Sequence, residues 1–92
     1  MKYIVKKTKA FKKDYKRVLK RGLDISKLQN VVALIANGED LPTSMHDHPL
    51  SNNWESHREC HIAPDWLLIY HIAEDVLVLE LTRTGSHSDL FG

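Results

Sequence analysis

Apolar residues change their spacing once along this chain, and that change restricts it to a mixed helix-and-sheet layout. Up to residue 36 they recur with a helical period; beyond residue 53 they alternate or cluster as strand residues do. Phe11, Tyr15, Val18 and Leu19 share one stripe about 100° wide on a helical wheel. Thr8 is placed to cap that helix over roughly 9–21, and Gly22 to end it. Leu28, Val31, Val32 and Ile35, spaced i, i+3, i+4 and i+7, predict a second helix opening at Asp24 and stopping at Asn37 and Gly38. Residues 3–5 read as a short strand before the helices.

Between Leu41 and Asn53 no period survives, and Pro42, Pro49, Asn52 and Asn53 predict an ordered but irregular loop. Three strands are then expected over roughly 55–62, 67–72 and 76–84, with 73–75 as the turn of an antiparallel hairpin. Leu77, Leu79 and Leu81 should share a face that Arg83 continues. Ser86-x-x-Asp89 has the form of a capping box opening a last helical turn. The expected order is β-α-α-β-β-β-α, an α+β domain with its helices packed on one face of an antiparallel sheet.

The chain has 92 residues, 42% of them hydrophobic, which is room for a single domain over 1–92 with a thin core. No apolar run approaches the ~18 residues of a membrane span, and no apolar signal-peptide segment follows the N-terminal lysines. Cys60 is the one cysteine, so no internal disulfide is expected and a cytoplasmic location is.

The formal net charge of +1 conceals a strong asymmetry. Residues 1–21 hold ten Lys/Arg against Asp14 alone, a net +9; residues 22–92 hold three against eleven acids, a net −8. On the first helix Lys9/Lys13, Lys12/Lys16, Lys13/Arg17, Lys16/Lys20 and Arg17/Arg21 are five like-charge i,i+4 pairs. Together they cost about 1 to 2.5 kcal/mol at low salt. An anionic partner, nucleic acid or acidic protein, would relieve the strain, as would the domain's own acids.

All six histidines lie between residues 46 and 87. His46-x-His48 and His57-x-x-x-His61 have ligand-like spacings, but a strand would hold His57 and His61 about 13 Å apart, so no metal site is expected. Metal-free acid/base work suits them better. Cutting an RNA backbone by internal attack needs the 2′-hydroxyl deprotonated, phosphorane charge stabilised and the leaving 5′-oxygen protonated, tasks for histidine and arginine near neutral pH. Arg83, at a strand end, is placed for phosphate or for a salt bridge to an acid. Trp66 and Phe91 are each either core anchors or platforms for unpaired bases. A large aromatic so close to a terminus as Phe91 frays unless it is packed or used.

The string Asp47-His48-Pro49-Leu50, then Trp54, then Arg58 through Tyr70 with its His61-x-x-Pro64-Asp65-Trp66 turn, then Arg83-Thr84-Gly85-Ser86-His87-Ser88-Asp89-Leu90-Phe91-Gly92, resembles the YafQ-type toxins of the RelE superfamily. The likeness spans essentially the whole chain. It implies a RelE-like fold and a metal-independent, ribosome-dependent mRNA endonuclease, the toxin half of a type II toxin–antitoxin pair, with no cofactor. The partner it implies is a RelB/DinJ-like antitoxin whose C-terminal segment wraps the toxin and whose N-terminal part binds operator DNA. Mapped onto this sequence, His48, His61, Asp65, Arg83 and His87 are the catalytic polar residues, and Trp66 and Phe91 are aromatics for the substrate. His87 would then be the general acid, His61 with Asp65 would serve the 2′-hydroxyl, and His48 and Arg83 would hold the phosphate. Lys9, Lys12, Lys13, Lys16, Arg17 and Lys20 would face mRNA and 16S rRNA on the ribosome.

Two positions depart from that pattern. Asn52 stands where relatives often place glycine, and Asn tolerates the left-handed backbone such a turn requires. His57 stands where an aromatic is common. Two other classes stay open on the residues alone: a non-catalytic nucleic-acid-binding regulator using the basic helix, and a metal-dependent hydrolase.

Overall fold

The computed structural model describes residues 1–92. Strand β1 (Ile4–Lys7) leads into helices α1 (Lys9–Lys20) and α2 (Ile25–Ala36). A loop follows, with 3₁₀ turns at Thr43–Met45 and Asn52–Trp54 and the two-residue strand β2 (His48–Pro49) between them. Strands β3 (Arg58–Ala63), β4 (Trp66–Ala73) and β5 (Val78–Gly85) then precede the short helix α3 (His87–Phe91). All three helix starts are capped as the sequence predicts. Thr8 accepts from the Phe11 amide, Asp24 from the Ser26 amide, and Ser86 with Asp89 closes a complete capping box.

The strands form one sheet in the order β1-β5-β4-β3-β2. It is not wholly antiparallel: β1 runs parallel to β5, because α1 and α2 carry the chain across the sheet before the meander begins. The irregular loop contributes an edge strand, with His48 opposite Glu59 and Pro49 opposite Arg58. Asn52 takes the left-handed backbone, φ 57°, that the turn requires.

The last hairpin differs from expectation. Ala73 pairs with Val78, so the turn is four residues long, 74–77. Leu77 adopts a left-handed φ of 52° to reverse the chain, and it lies outside the core face that Leu79 and Leu81 share. A β-bulge also interrupts the ladder: Ile69 pairs with Arg83 but Tyr70 pairs with Leu81, leaving Thr82 between them. The extra residue reverses the alternation, so Arg83 lies on the face of Ile69 and does not continue that of Leu79 and Leu81.

Successive residues of β4 point to opposite faces. Trp66, Leu68 and Tyr70 join the principal core with Phe11, Val18, Leu28, Val31 and Ile35 of the two long helices. Leu67 and Ile69 form a second, smaller cluster with Leu90 of α3, and Leu50 and Trp54 pack against it. The sheet is therefore covered on both faces, by α1 and α2 on one and by α3 with the 50–54 loop on the other. No helix is long and apolar enough to cross a membrane.

Candidate active site

Residues directly opposed across an antiparallel ladder share a face. The register places His48, Glu59, Ile69 and Arg83 in one row across four strands, and His61, Leu67 and Gly85 in the next. Glu59 and His61 thus stand on the smaller face, beside the strand from which α3 departs. Glu59 is buried, 6% exposed, and its Oε1 lies 3.5 Å from His48 Nε2 and 3.4 Å from His61 Nε2. One carboxylate oxygen lies between two imidazoles. The His61 ring is flanked edge-on by His46 and His87, at centroid separations of 5.5 and 5.7 Å.

His87 opens α3, and Asp65 lies in the two-residue turn between β3 and β4. Asp65 Oδ1 accepts from the His87 backbone amide at 3.0 Å and lies 2.8 Å from His87 Nδ1. These bonds hold the Asp65 carboxyl below its usual range, the backbone bond most of all. The ionised carboxylate can only accept, so Nδ1 carries the proton and Nε2 faces outward. The pairing inferred from the sequence is thereby corrected: Asp65 orients His87, and the carboxylate beside His61 is Glu59. Sequence reading missed Glu59. Its signal is a glutamate at i−2 from a histidine in a predicted strand, which alternation places beside that histidine.

Arg83 makes the salt bridge that the sequence left as one of its two readings. Its Nε and Nη2 donate to the buried Asp14 of α1, at 2.6 and 3.1 Å, and the Thr84 amide donates to Asp14 as well. Asp14 raises the Arg83 pKa, chiefly through that side-chain bond. Nη1 has no partner within the protein and can meet a phosphate.

Trp66 does not fit the role of a base platform. It is 3% exposed in the principal core, where Nε1 donates to Thr84 Oγ1, so neither ring face is open to a base. Phe91 is 48% exposed at the end of α3, one turn beyond His87, where a base could stack on it. On α1, Lys9, Lys12, Lys13, Lys16 and Lys20 are exposed. Arg17 is engaged internally, 3.7 Å from Asp14 and 3.5 Å from Asp89 of α3, so part of the helix's self-repulsion is relieved by the domain's own acids.

The loop bearing His48 is anchored by its neighbour. Asp47 accepts from Arg58 Nε and Nη2 and from the Tyr70 hydroxyl at 2.7 Å. Burial, then the Asp47 bond, pushes the Tyr70 phenol up. His57 is absent from the cluster and packs against Trp54 and His71. Cys60, behind Glu59 and His61, is fully buried, and burial pushes its thiol up to about 12, which leaves it unreactive near neutral pH.

Neither histidine pair singled out by spacing makes a ligand set. The structure instead gathers His48, Glu59 and His61, each offering one ligand atom, all within 4.8 Å of one another. Two imidazoles and a carboxylate suit zinc or copper(II). The same atoms are those that acid/base chemistry would use.

Residues 3–92 match the family model described as the bacterial toxin of type II toxin–antitoxin systems, YafQ. The mRNA interferase toxin YafQ of Escherichia coli (strain B / BL21-DE3) is 42% identical over 83 residues, 89% of this chain and 88% of the relative. The toxin in the crystal structure of the E. coli DinJ–YafQ toxin–antitoxin complex superposes with a TM-score of 0.89 at 35% identity, over 100% of both chains. A metal-bound toxin from Helicobacter pylori superposes with a TM-score of 0.91 at 40% identity, over 97% of this chain and 99% of that one.

Proposed function

The chain belongs to the YafQ family of type II toxin–antitoxin toxins, and from that premise we propose that it is an endoribonuclease of the RelE superfamily that cuts mRNA in the ribosomal A site by metal-independent attack of the 2′-hydroxyl. The observation that carries this reading is the division of three clustered histidines between two carboxylates, Glu59 beside His48 and His61, and Asp65 on His87.

That division matches the two proton transfers. The 2′-hydroxyl loses its proton to His61, which Glu59 and His87 flank. The 2′-oxygen bonds to phosphorus, and the bond from phosphorus to the 5′-oxygen breaks. The leaving oxygen takes its proton from His87 Nε2, which Asp65 turns outward. The products are a 2′,3′-cyclic phosphate and a 5′-hydroxyl. Arg83 and His48 neutralise the pentacoordinate phosphate, and Phe91 stacks on a base beside the cut. A non-catalytic regulator would leave this cluster idle.

On this reading the lysines of α1 hold 16S rRNA, and the protein works in the cytoplasm, where ribosomes are. Because the E. coli relative is solved with DinJ, the cognate inhibitor is a RelB/DinJ-like antitoxin that connects this chain to operator DNA only indirectly. The test is cleavage of mRNA on a purified ribosome with an open A site. Ribosome-dependent fragments ending in a 2′,3′-cyclic phosphate, lost in His87→Ala, are expected. Equal cleavage of naked mRNA, or full activity of His87→Ala, would overturn the reading.

A further inference from the structure

Helix α3 has five residues, too few to hold a helix on their own. Yet it carries His87 and Phe91, the two groups that must be aimed most closely at the substrate. Its stability has to come from ties to the rest of the fold. Two are the Asp65 bonds to His87 and the burial of Leu90. The third is Asp89, which no feature of the proposed chemistry uses.

Asp89 does two things at once. Within α3 its Oδ2 accepts from the Ser86 amide at 2.9 Å, closing the capping box. Across the fold its two oxygens take both Nη groups of Arg21, at 2.5 and 2.9 Å, with Arg17 3.5 Å away. Such a two-point guanidinium–carboxylate pair fixes angle as well as distance. The backbone leaves room for it: a Cβ at Gly85, whose φ is +154°, would lie 2.8 Å from Asp89 Oδ2. Asp14 and Arg17 of α1 and Arg21, which caps its C-terminus, lie along one side of the helix, and they reach Arg83, Thr84 and Asp89.

Resting on the ribonuclease reading above, we propose that Asp89 and Arg21 are positioning residues for the reaction: their pair clamps α3 to the end of α1 and so sets where His87 and Phe91 stand over the cut. Neither touches substrate. Removing the clamp leaves the core and the remaining site residues in place but lets α3 swing on its Asp65 bonds. A misplacement of about 1 Å at a reacting group is enough to lower the rate about 100-fold.

Arg21→Gln is the cleaner variant, because it spares the capping box; Arg21→Lys restores charge without the fork. On the ribosome, Arg21→Gln is expected to lower kcat about 10- to 100-fold with little change in KM, and Arg21→Lys to recover part of it. A phosphate-binding role for Arg21 would instead raise KM in a salt-dependent way with kcat kept, which overturns the proposal. A second readout is independent of activity. Amide hydrogen exchange at residues 90–92 is expected to accelerate in Arg21→Gln while β4 and β5 stay protected. Unchanged exchange there overturns the clamp even if the wild-type chain proves to cut no RNA, whereas wild-type inactivity alone counts against the ribonuclease reading only.

Discussion

Asp65 Oδ1 accepts from both the backbone amide and the Nδ1 of His87, so one oxygen fixes the place of the α3 terminus and the tautomer of its imidazole. Asp65→Asn keeps the shape but presents an amide that can turn its donor toward Nδ1 and favour the wrong tautomer. The expected loss in kcat is about 10- to 100-fold, smaller than the roughly 100- to 10,000-fold loss expected on removing the general acid in His87→Ala. Single-turnover cleavage on the ribosome checks the order. Equal rates for Asp65→Asn and wild type would show that the pair does not act in the reaction.

Glu59 is a buried carboxylate with two histidines for company. Replacing a buried acid by its neutral isostere commonly costs a fold little, so Glu59→Gln is expected to leave the melting temperature unchanged or raised while kcat falls at least about 10-fold. Calorimetry beside the cleavage assay separates the two effects. A variant that is both less stable and fully active would mean that Glu59 serves only the fold.

The sequence made the local features legible and left the relations between distant segments obscure. Helix caps at Thr8, Asp24 and Ser86 follow from one or two turns of chain, and all three stand as expected. Glu59 and the Asp14–Arg83 bridge do not, because each depends on which strands become neighbours and on a bulge at Thr82 that reverses the facing of Arg83. A motif names polar residues but not which of them touch: Asp65 is four residues from His61 along the chain, yet it bonds His87, 22 residues away. Trp66 was ambiguous for another reason: an aromatic opening a strand looks the same whether its ring turns inward or outward.

That ambiguity has a direct check. With Trp66 Nε1 bonded to Thr84 Oγ1 inside the core, Trp66→Phe is expected to lower stability by about 1 to 3 kcal/mol and leave KM for the ribosome complex unchanged. Denaturant unfolding and steady-state cleavage measure the two. A large rise in KM with stability intact would return Trp66 to the substrate.

The atoms of His48, Glu59 and His61 that would bind a cation are the ones proposed to move or hold protons. Chelation with EDTA is therefore expected to leave cleavage unchanged once ribosomal Mg²⁺ is replenished, and Zn²⁺ or Cu²⁺ to inhibit by occupying the imidazole lone pairs. Glu59→Gln should weaken that inhibition relative to its own uninhibited rate. Loss of activity on chelation, restored by Zn²⁺, would establish a metal enzyme.

Asp89 offers a prediction in pH. The Arg21 bond, then those from Ser86, holds its carboxyl well below the usual carboxylate range. A group whose folded pKa is depressed contributes stability fully above its unfolded value, about 3.9, and loses it as pH falls through the folded one. Asp24 and Asp65 are shifted the same way, by Ser26 and by His87, so acid sensitivity alone would not identify Asp89. The comparison with Asp89→Asn does. Between about pH 6 and pH 2 the wild type is expected to lose more stability than the variant, since the variant has already forfeited that contribution at neutral pH. Urea midpoints across this range give the difference directly. Parallel curves would mean that the Arg21 pair adds nothing to the folded state, and high salt should narrow the gap at pH 6 because the partners are partly exposed.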